Sequence, residues 1–348
     1  MTAVPAAPAI ALVRRARRTG RARELAVVAV FAALVVVLSA AALTVGSEDL
    51  PLADVALALA GRGDDGAVYA VRELRAPRVA AGVAVGVALG LSGAIFQAVA
   101  RNVLASPDIL GISAGASLAA VATLAFVSTA SVTVAGGALV GAIVVTALVL
   151  GLSAGRGTSP FRMILVGIGV QLLCQALLEF LLSRQGLERA DRFSAWLVGS
   201  LNNRGWDDVS VLLVAGVPLA LLLAAVAPRL RMLQLGDAVA SSAGVDARSS
   251  RMILLVIASA LAATAVCVAG PIAFVAFIAP PLARWLTGRS VTLWGSALVG
   301  AALLVAADLA GRLGLGGLTL PVGITMGLIG GPYLLFMIVR ANRVGSGG

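Results

Sequence analysis

"RMILLVIASALAATAVCVAGPIAFVAFIAPPLARWLT" runs from Arg251 to Thr287. As one helix it would be about 55 Å long at 1.5 Å per residue, nearly twice the depth of a hydrocarbon core about 30 Å thick. Gly270-Pro271 sits in its middle. Proline removes a backbone donor and clashes with the preceding turn. The stretch therefore reads as two spans joined by a tight turn, 251–269 and 271–287, in preference to one kinked helix. The same ruler laid along the chain finds eight more apolar runs, at about 25–45, 79–100, 109–127, 132–152, 162–183, 208–227, 291–310 and 321–340. The expected fold class is all-α: a polytopic membrane protein of ten transmembrane helices.

Composition agrees. The chain is 60% hydrophobic and 12% charged, where a soluble domain is nearer half and a quarter. All 26 basic residues are arginines, and Arg14, Arg15, Arg17, Arg18, Arg21 and Arg23 precede the first span. Positive charge before a first span holds that end in the cytoplasm. Ten spans then sort 17 arginines and 4 acidic residues to the inside, and 9 arginines and 11 acidic residues to the outside. Both termini are expected to be cytoplasmic, in a bacterial inner membrane. The organisation is a tail at 1–24, a transmembrane domain at 25–340 that includes a cytoplasmic loop at 228–250, and a second tail at 341–348. The net charge of +10 suits anionic lipid. The tail lacks the aromatic interleaving of a nucleic-acid binder, so no nucleic acid is expected. The first apolar run is too long for a signal peptide and no cleavage site follows it.

The chemistry that is missing narrows the function. There is no histidine, the usual general base and metal ligand. Cys174 and Cys267 lie in different spans without metal-ligand spacing. No phosphate-binding glycine loop occurs. No catalytic residue, metal site or cofactor is assigned to this chain. Glu179, near the outer end of span 5, is the candidate ionisable residue within the bilayer; such a residue is a pore-lining, coupling or structural group. An ion-coupled secondary transporter usually needs more intramembrane charge than this, and an intramembrane enzyme needs a polar cluster at one depth. Gly82, Gly86 and Gly90 share one face of span 2, with Gly93 following, and Gly111, Gly115, Gly137 and Gly141 recur at similar spacing. Small residues at that spacing bring helix backbones together. Ser106-Pro107-Asp108 reads as a cytoplasmic turn into span 3. The loop at 228–250 reads as two short amphipathic helices joined around Gly244, for which a protein groove is favoured over a lipid surface.

Five segments carry a family resemblance: "RELRAPRVAAGVAVGVALGLSGAIFQAVARNVLASPDILGISAGASLA" (72–119), "WLVGSLNNRGWDDV" (196–209), "LGDAVASSAGVDARSSR" (235–251), "VAGPIAFVAFIAPPLARWLTG" (268–288) and "ADLAGRLGLGGLTLPVGITMGLIGGPYLLFMIVR" (307–340). The chain resembles the FecCD-type permeases of ATP-binding-cassette importers for iron-siderophores, haem and cobalamin, and looks most like the ferric-siderophore branch. The resemblance implies a transport subunit, not an enzyme. ATP and Mg would sit in two partner ATPase subunits, a binding protein would deliver substrate outside, and a second permease would complete the path, a heterodimer being favoured over a homodimer. It also implies roles. Leu235, Gly236, Asp237, Ala240, Gly244 and Val245 match the element that couples to the ATPase. Asn102, Leu104, Thr158 and Ser159 match the cytoplasmic gate and path. Arg75, Arg78 and Arg312 match arginines that meet acids on the binding protein. Two departures stand out. Val103 replaces the proline of Asn-Pro-Leu, which would soften the gate turn. Pro280-Pro281 replaces Pro-His, so no role of that histidine transfers. Within the family, cobalamin or haem is the alternative cargo.

Overall fold

The computed structural model describes residues 6–46, 48–127, 131–153, 160–184, 193, 196–314 and 318–345. These residues are overwhelmingly helical and contain no strand. The helices are α1 (Ala6–Thr44), α2 (Leu52–Leu59), α3 (Asp65–Ala100), α4 (Ile112–Phe126), α5 (Ser131–Ser153), α6 (Pro160–Ser183), α7 (Trp206–Gln234), α8 (Asp237–Ser242), α9 (Ala247–Ala269), α10 (Val275–Thr287), α11 (Leu293–Leu313) and α12 (Val322–Gly345). Each of the ten expected stretches carries a helix. Seven helices among the described residues are long and apolar enough to cross a membrane: α1, α3, α5, α6, α7, α9 and α11. Two shorter apolar segments, Ile112–Phe126 and Val322–Met337, accompany them.

The bundle has an inner and an outer shell. α3 and α9 are the most buried, and α3 packs against α7, α9, α10 and α11. α1, α6 and α7 are largely uncovered and present Val36, Leu172 and Val214 outward. Apolar helix faces of this kind suit a lipid solvent. The close approach of α3 to α11 explains the glycine spacing. A Cβ on Gly86 would lie 2.6 Å from both the Ala301 Cα and the Gly300 oxygen.

The break at Gly270-Pro271 is real. α9 stops at Ala269, Gly270 and Phe274 have φ of 71° and 70°, and α10 begins at Val275. Broken backbone inside a bilayer survives only where protein or water satisfies it. Here the Ser200 N–H donates to the Ala269 carbonyl at 2.8 Å, and the Gly323 N–H donates to the Gly199 carbonyl at 3.1 Å.

α10 adds a second demand. Pro280 and Pro281 lie inside it, so the carbonyls four residues earlier, on Ala276 and Phe277, lose their helical donors. α3 answers both. Gln97 Nε2 donates to the Phe277 carbonyl at 3.1 Å, and Gln97 Oε1 accepts from Arg284 at 2.8 Å. The Ala276 carbonyl lies against the bare Cα of Gly93, leaving no room for a Cβ.

α1 is held differently. Its apolar length is little buried, but its ends are fastened by polar contacts. At one end Arg23 Nε donates to the Leu286 carbonyl at 2.7 Å and Glu24 pairs with Arg289 at 2.8 Å.

Gly93→Val should therefore cost about 1–3 kcal/mol or more through overpacking. Gln97→Leu should cost about 1–3 kcal/mol by orphaning the Phe277 carbonyl. Gly216→Val, where a Cβ meets nothing within 4 Å, should be tolerated. Thermal unfolding of the detergent-purified chain checks this; equal midpoints for all three would remove the α3–α10 account.

Candidate functional site: an exposed helix tied to a turn

Two places gather the residues singled out by sequence: the end of the bundle that carries α8, and the opposite end around Asp308.

α7 continues through Pro228 to Gln234 because its buried stripe of Leu223, Val226, Leu230 and Leu233 continues. The loop expected at 228–250 is thus shorter than its sequence suggests. It holds one short helix, α8, where two were expected. The second is the first turn of α9, which Asp246 caps by accepting the Arg248 N–H at 3.0 Å. α8 lies between Gly236 and Gly244, whose φ angles of 110° and 77° make a side chain costly at both. Ala240 is fully buried and pins the helix to the bundle. Leu235 and Val239 are exposed, and Val245 is half-buried. Asp237 starts α8 and pairs with Arg251 and, at 3.4 Å, with Arg101.

Arg101 ends α3 in the left-handed region, φ 51°. Its guanidinium donates to the Leu233 carbonyl at 2.7 Å as well as facing Asp237. The next residue, Asn102, accepts the Leu104 N–H on its own side chain at 2.9 Å. That bond holds the turn without the family's proline, and Val103 and Leu104 are exposed on it. Asp108, in the short 3₁₀ turn at Pro107–Leu110, accepts the Ser113 hydroxyl, and burial pushes its carboxyl above the usual range. Arg101 went unrecognised in the sequence. An arginine ending an apolar run reads as a topology marker, and nothing local shows that it reaches Asp237. Thr158 and Ser159 lie outside the described residues.

At the opposite end Arg75, Arg78 and Arg312, the three arginines matched to binding-protein docking, each have partners within the chain. Arg75 is buried and donates to the carbonyls of Leu43 and Thr44, both at 2.9 Å, and of Glu48 at 2.6 Å. Arg312 donates to the carbonyls of Ala42 and Val45 at 2.9 and 3.1 Å. The last carbonyls of a helix lack intrahelical donors, and these two arginines supply them to α1. Buried Asp308 sits between Arg78, at 2.8 Å, and Arg312, at 3.2 Å. Arg78 keeps the most exposed side chain of that cluster, at 19%. Asp308 was not foreseen as a partner. Its i,i+4 spacing to Arg312 was the available signal.

Glu179 is on the uncovered side of α6, where Gln175 Nε2 donates to it at 3.4 Å. Cys174 and Cys267 are buried free thiols.

A helical bundle with apolar flanks, a broken inner helix and an exposed short helix between two glycines at one end has the build of a multi-pass membrane protein. The comparisons place it. Residues 33–340 match the FecCD transport family, and the chain belongs to that family. It is 35% identical over 301 residues to the ferric enterobactin transport system permease protein FepG of Escherichia coli (strain K12), covering 86% of this chain and 91% of that one. It is 37% identical over 280 residues to the iron(3+)-hydroxamate import system permease protein FhuG of Bacillus subtilis (strain 168), covering 78% and 83%. A solved structure described as an inward-facing metal-chelate type ABC transporter aligns with a TM-score of 0.81 at 25% identity, over 90% of this chain and 98% of that one. The chain is the permease subunit of a metal-chelate type ABC importer.

Asp308→Ala should leave Arg78 and Arg312 without their counter-charge and cost about 3–5 kcal/mol, the range for breaking a buried pair from one side. Arg75→Met should also lower the thermal midpoint. A pair of variants as heat-stable as the parent would show the cluster to be idle.

Proposed function

We propose that this permease carries a ferric siderophore, driven by ATP hydrolysis in two separate subunits and supplied by a binding protein on the outer face. In this reading ten helices cross the membrane, α4, α10 and α12 among them, and both termini are cytoplasmic. The arginine distribution supports that orientation. The α8 end then faces the cytoplasm and the Asp308 end faces out. A second permease subunit, a different chain by preference, closes the path against α6. An exposed carboxylate on an otherwise apolar face is expensive against lipid, so Glu179 supports a wet or protein-covered α6. The named cargoes of two similar permeases, ferric enterobactin and iron(3+)-hydroxamate, are of the siderophore class.

The observation that carries the mechanism is the Arg101 bridge. α8 offers Leu235 and Val239 to a groove on the ATPase and can swing about Gly236 and Gly244. Its first residue, Asp237, is tied to Arg101, and Arg101 adjoins the Asn102–Leu104 turn. Motion imposed on α8 therefore reaches the end of α3 and the gate turn through one ion pair. Thr158 and Ser159 belong to the same gate by family resemblance. At the outer face only Arg78 has enough exposed guanidinium to meet an acid of the binding protein while Arg75 and Arg312 hold α1. Such contacts govern register and encounter more than affinity.

With the partner ATPase and binding protein reconstituted in liposomes, Arg101→Gln and Asp237→Ala should each lower transport about tenfold, the effect of losing roughly 1.4 kcal/mol of coupling, with ATP turnover kept. Transport per ATP unchanged in both would sink the bridge as the coupling element. Arg78→Glu should weaken docking without a fall in thermal midpoint; undiminished docking would remove Arg78 from that surface.

A further inference from the structure

Beyond transport itself, we propose that the α8 end of the bundle holds an anionic phospholipid, its phosphate on Arg231 and one acyl chain in an apolar slot beside Pro228. A cavity of about 610 Å³ at this end is lined by four arginines, Arg101, Arg231, Arg284 and Arg289, and by no acidic residue. Arg101, Arg284 and Arg289 already have partners in the Leu233 carbonyl and Asp237, Gln97, and Glu24. Arg231 is exposed and has no partner among the described residues. It is the free cation of the group.

Arg231 and Val291 also line a second cavity, of about 180 Å³, whose other walls include Leu91, Leu223, Ala227, Pro228 and Trp294. Glu24 touches this slot, and its carboxylate is taken by Arg289. Leu91 in turn borders a third, apolar groove of about 570 Å³ that runs between α1, α3, α7 and α9 as far as Leu43 and Ala76. A cationic mouth thus adjoins an apolar slot through Arg231 and Val291, and buried Leu91 walls both the slot and the groove along the flank. Trp294, 54% exposed at the start of α11, stands where an indole anchors to the headgroup layer.

The two halves select the ligand together. Free phosphate would satisfy Arg231 and leave the slot empty. A lone hydrocarbon would fill the slot and leave the guanidinium unpaired. An acidic protein surface could reach the cavity but could not thread the slot. A phosphodiester joined to acyl chains does both, and basic pockets between transmembrane helices on the cytoplasmic side suit such headgroups.

The test uses the full chain, purified in detergent and stripped of lipid, with bound lipid read by native mass spectrometry. Phosphatidylglycerol should be retained over phosphatidylcholine of the same chain length. Arg231→Gln should lower phosphatidylglycerol occupancy about fivefold, the effect of one arginine near an anionic surface, and Arg231→Lys should recover part of it. Ala227→Phe should block the slot and lower occupancy as well, and excess inorganic phosphate should not displace the lipid. Thermal midpoints taken alongside show that each variant is folded. Equal retention of the two lipids, or Arg231→Gln and Arg231→Lys both binding like the parent, overturns the proposal. So does displacement by inorganic phosphate with Ala227→Phe harmless, which makes the site one for a free anion. Release of the lipid on adding the ATPase subunits overturns it too, since the cavity is then a subunit contact.

Discussion

The structure depends on one constraint: inside hydrocarbon, no backbone carbonyl or amide can be left to water. α10 tests it most severely. It begins at a broken backbone, with Phe274 in the left-handed region, and two prolines inside it release two carbonyls. α3 answers with a glutamine side chain for one carbonyl and a bare glycine Cα against the other. This pairing makes α3 the post around which α7, α9, α10 and α11 assemble. Its residues between Gly86 and Val99 must therefore satisfy α10 and α11 at once.

Much of this was legible in the sequence, for physical reasons. Apolar runs measured against the bilayer place a helix at each expected position. Gly270-Pro271 announces a break that no smooth helix could absorb. The spacing of Gly82, Gly86 and Gly90 announces close helix contact. What sequence could not supply was partnership across distance. The roles of Arg75, Arg78 and Arg312 rested on family resemblance, which is silent on partners inside the chain. Those partners, the carbonyls at and just beyond the end of α1 and the carboxylate of Asp308, lie 27 to 270 residues away for the carbonyls and 230 for the Arg78 pair. Arg101 escaped for the same reason. The expected span stopped at 227, and α7 runs on to Gln234 because Leu230 and Leu233 beyond Pro228 are buried.

The two ends of the bundle contrast. At the Asp308 end, three arginines and a carboxylate are largely buried and engage partners within the chain. At the α8 end, exposed apolar side chains, two left-handed glycines and surface ion pairs make a segment with few buried contacts beyond Ala240. Local stability varies in this way within one fold, and elements that move are drawn from its weaker parts. The two ends of this one bundle are thus held with unequal firmness.

The fastening of α1 has a consequence of its own. The apolar length of the helix is pinned near Arg23 and Glu24 at one end and by Arg75 and Arg312 at the other, while the stretch between leans only lightly on its neighbours. A rod tethered at both tips and lubricated between them can bow as the bundle breathes without slipping its moorings. Its length is therefore the quantity under strict control. A swapped side chain at mid-depth changes little, whereas one inserted residue would turn every downstream tether through about 100° and strand it from its anchor.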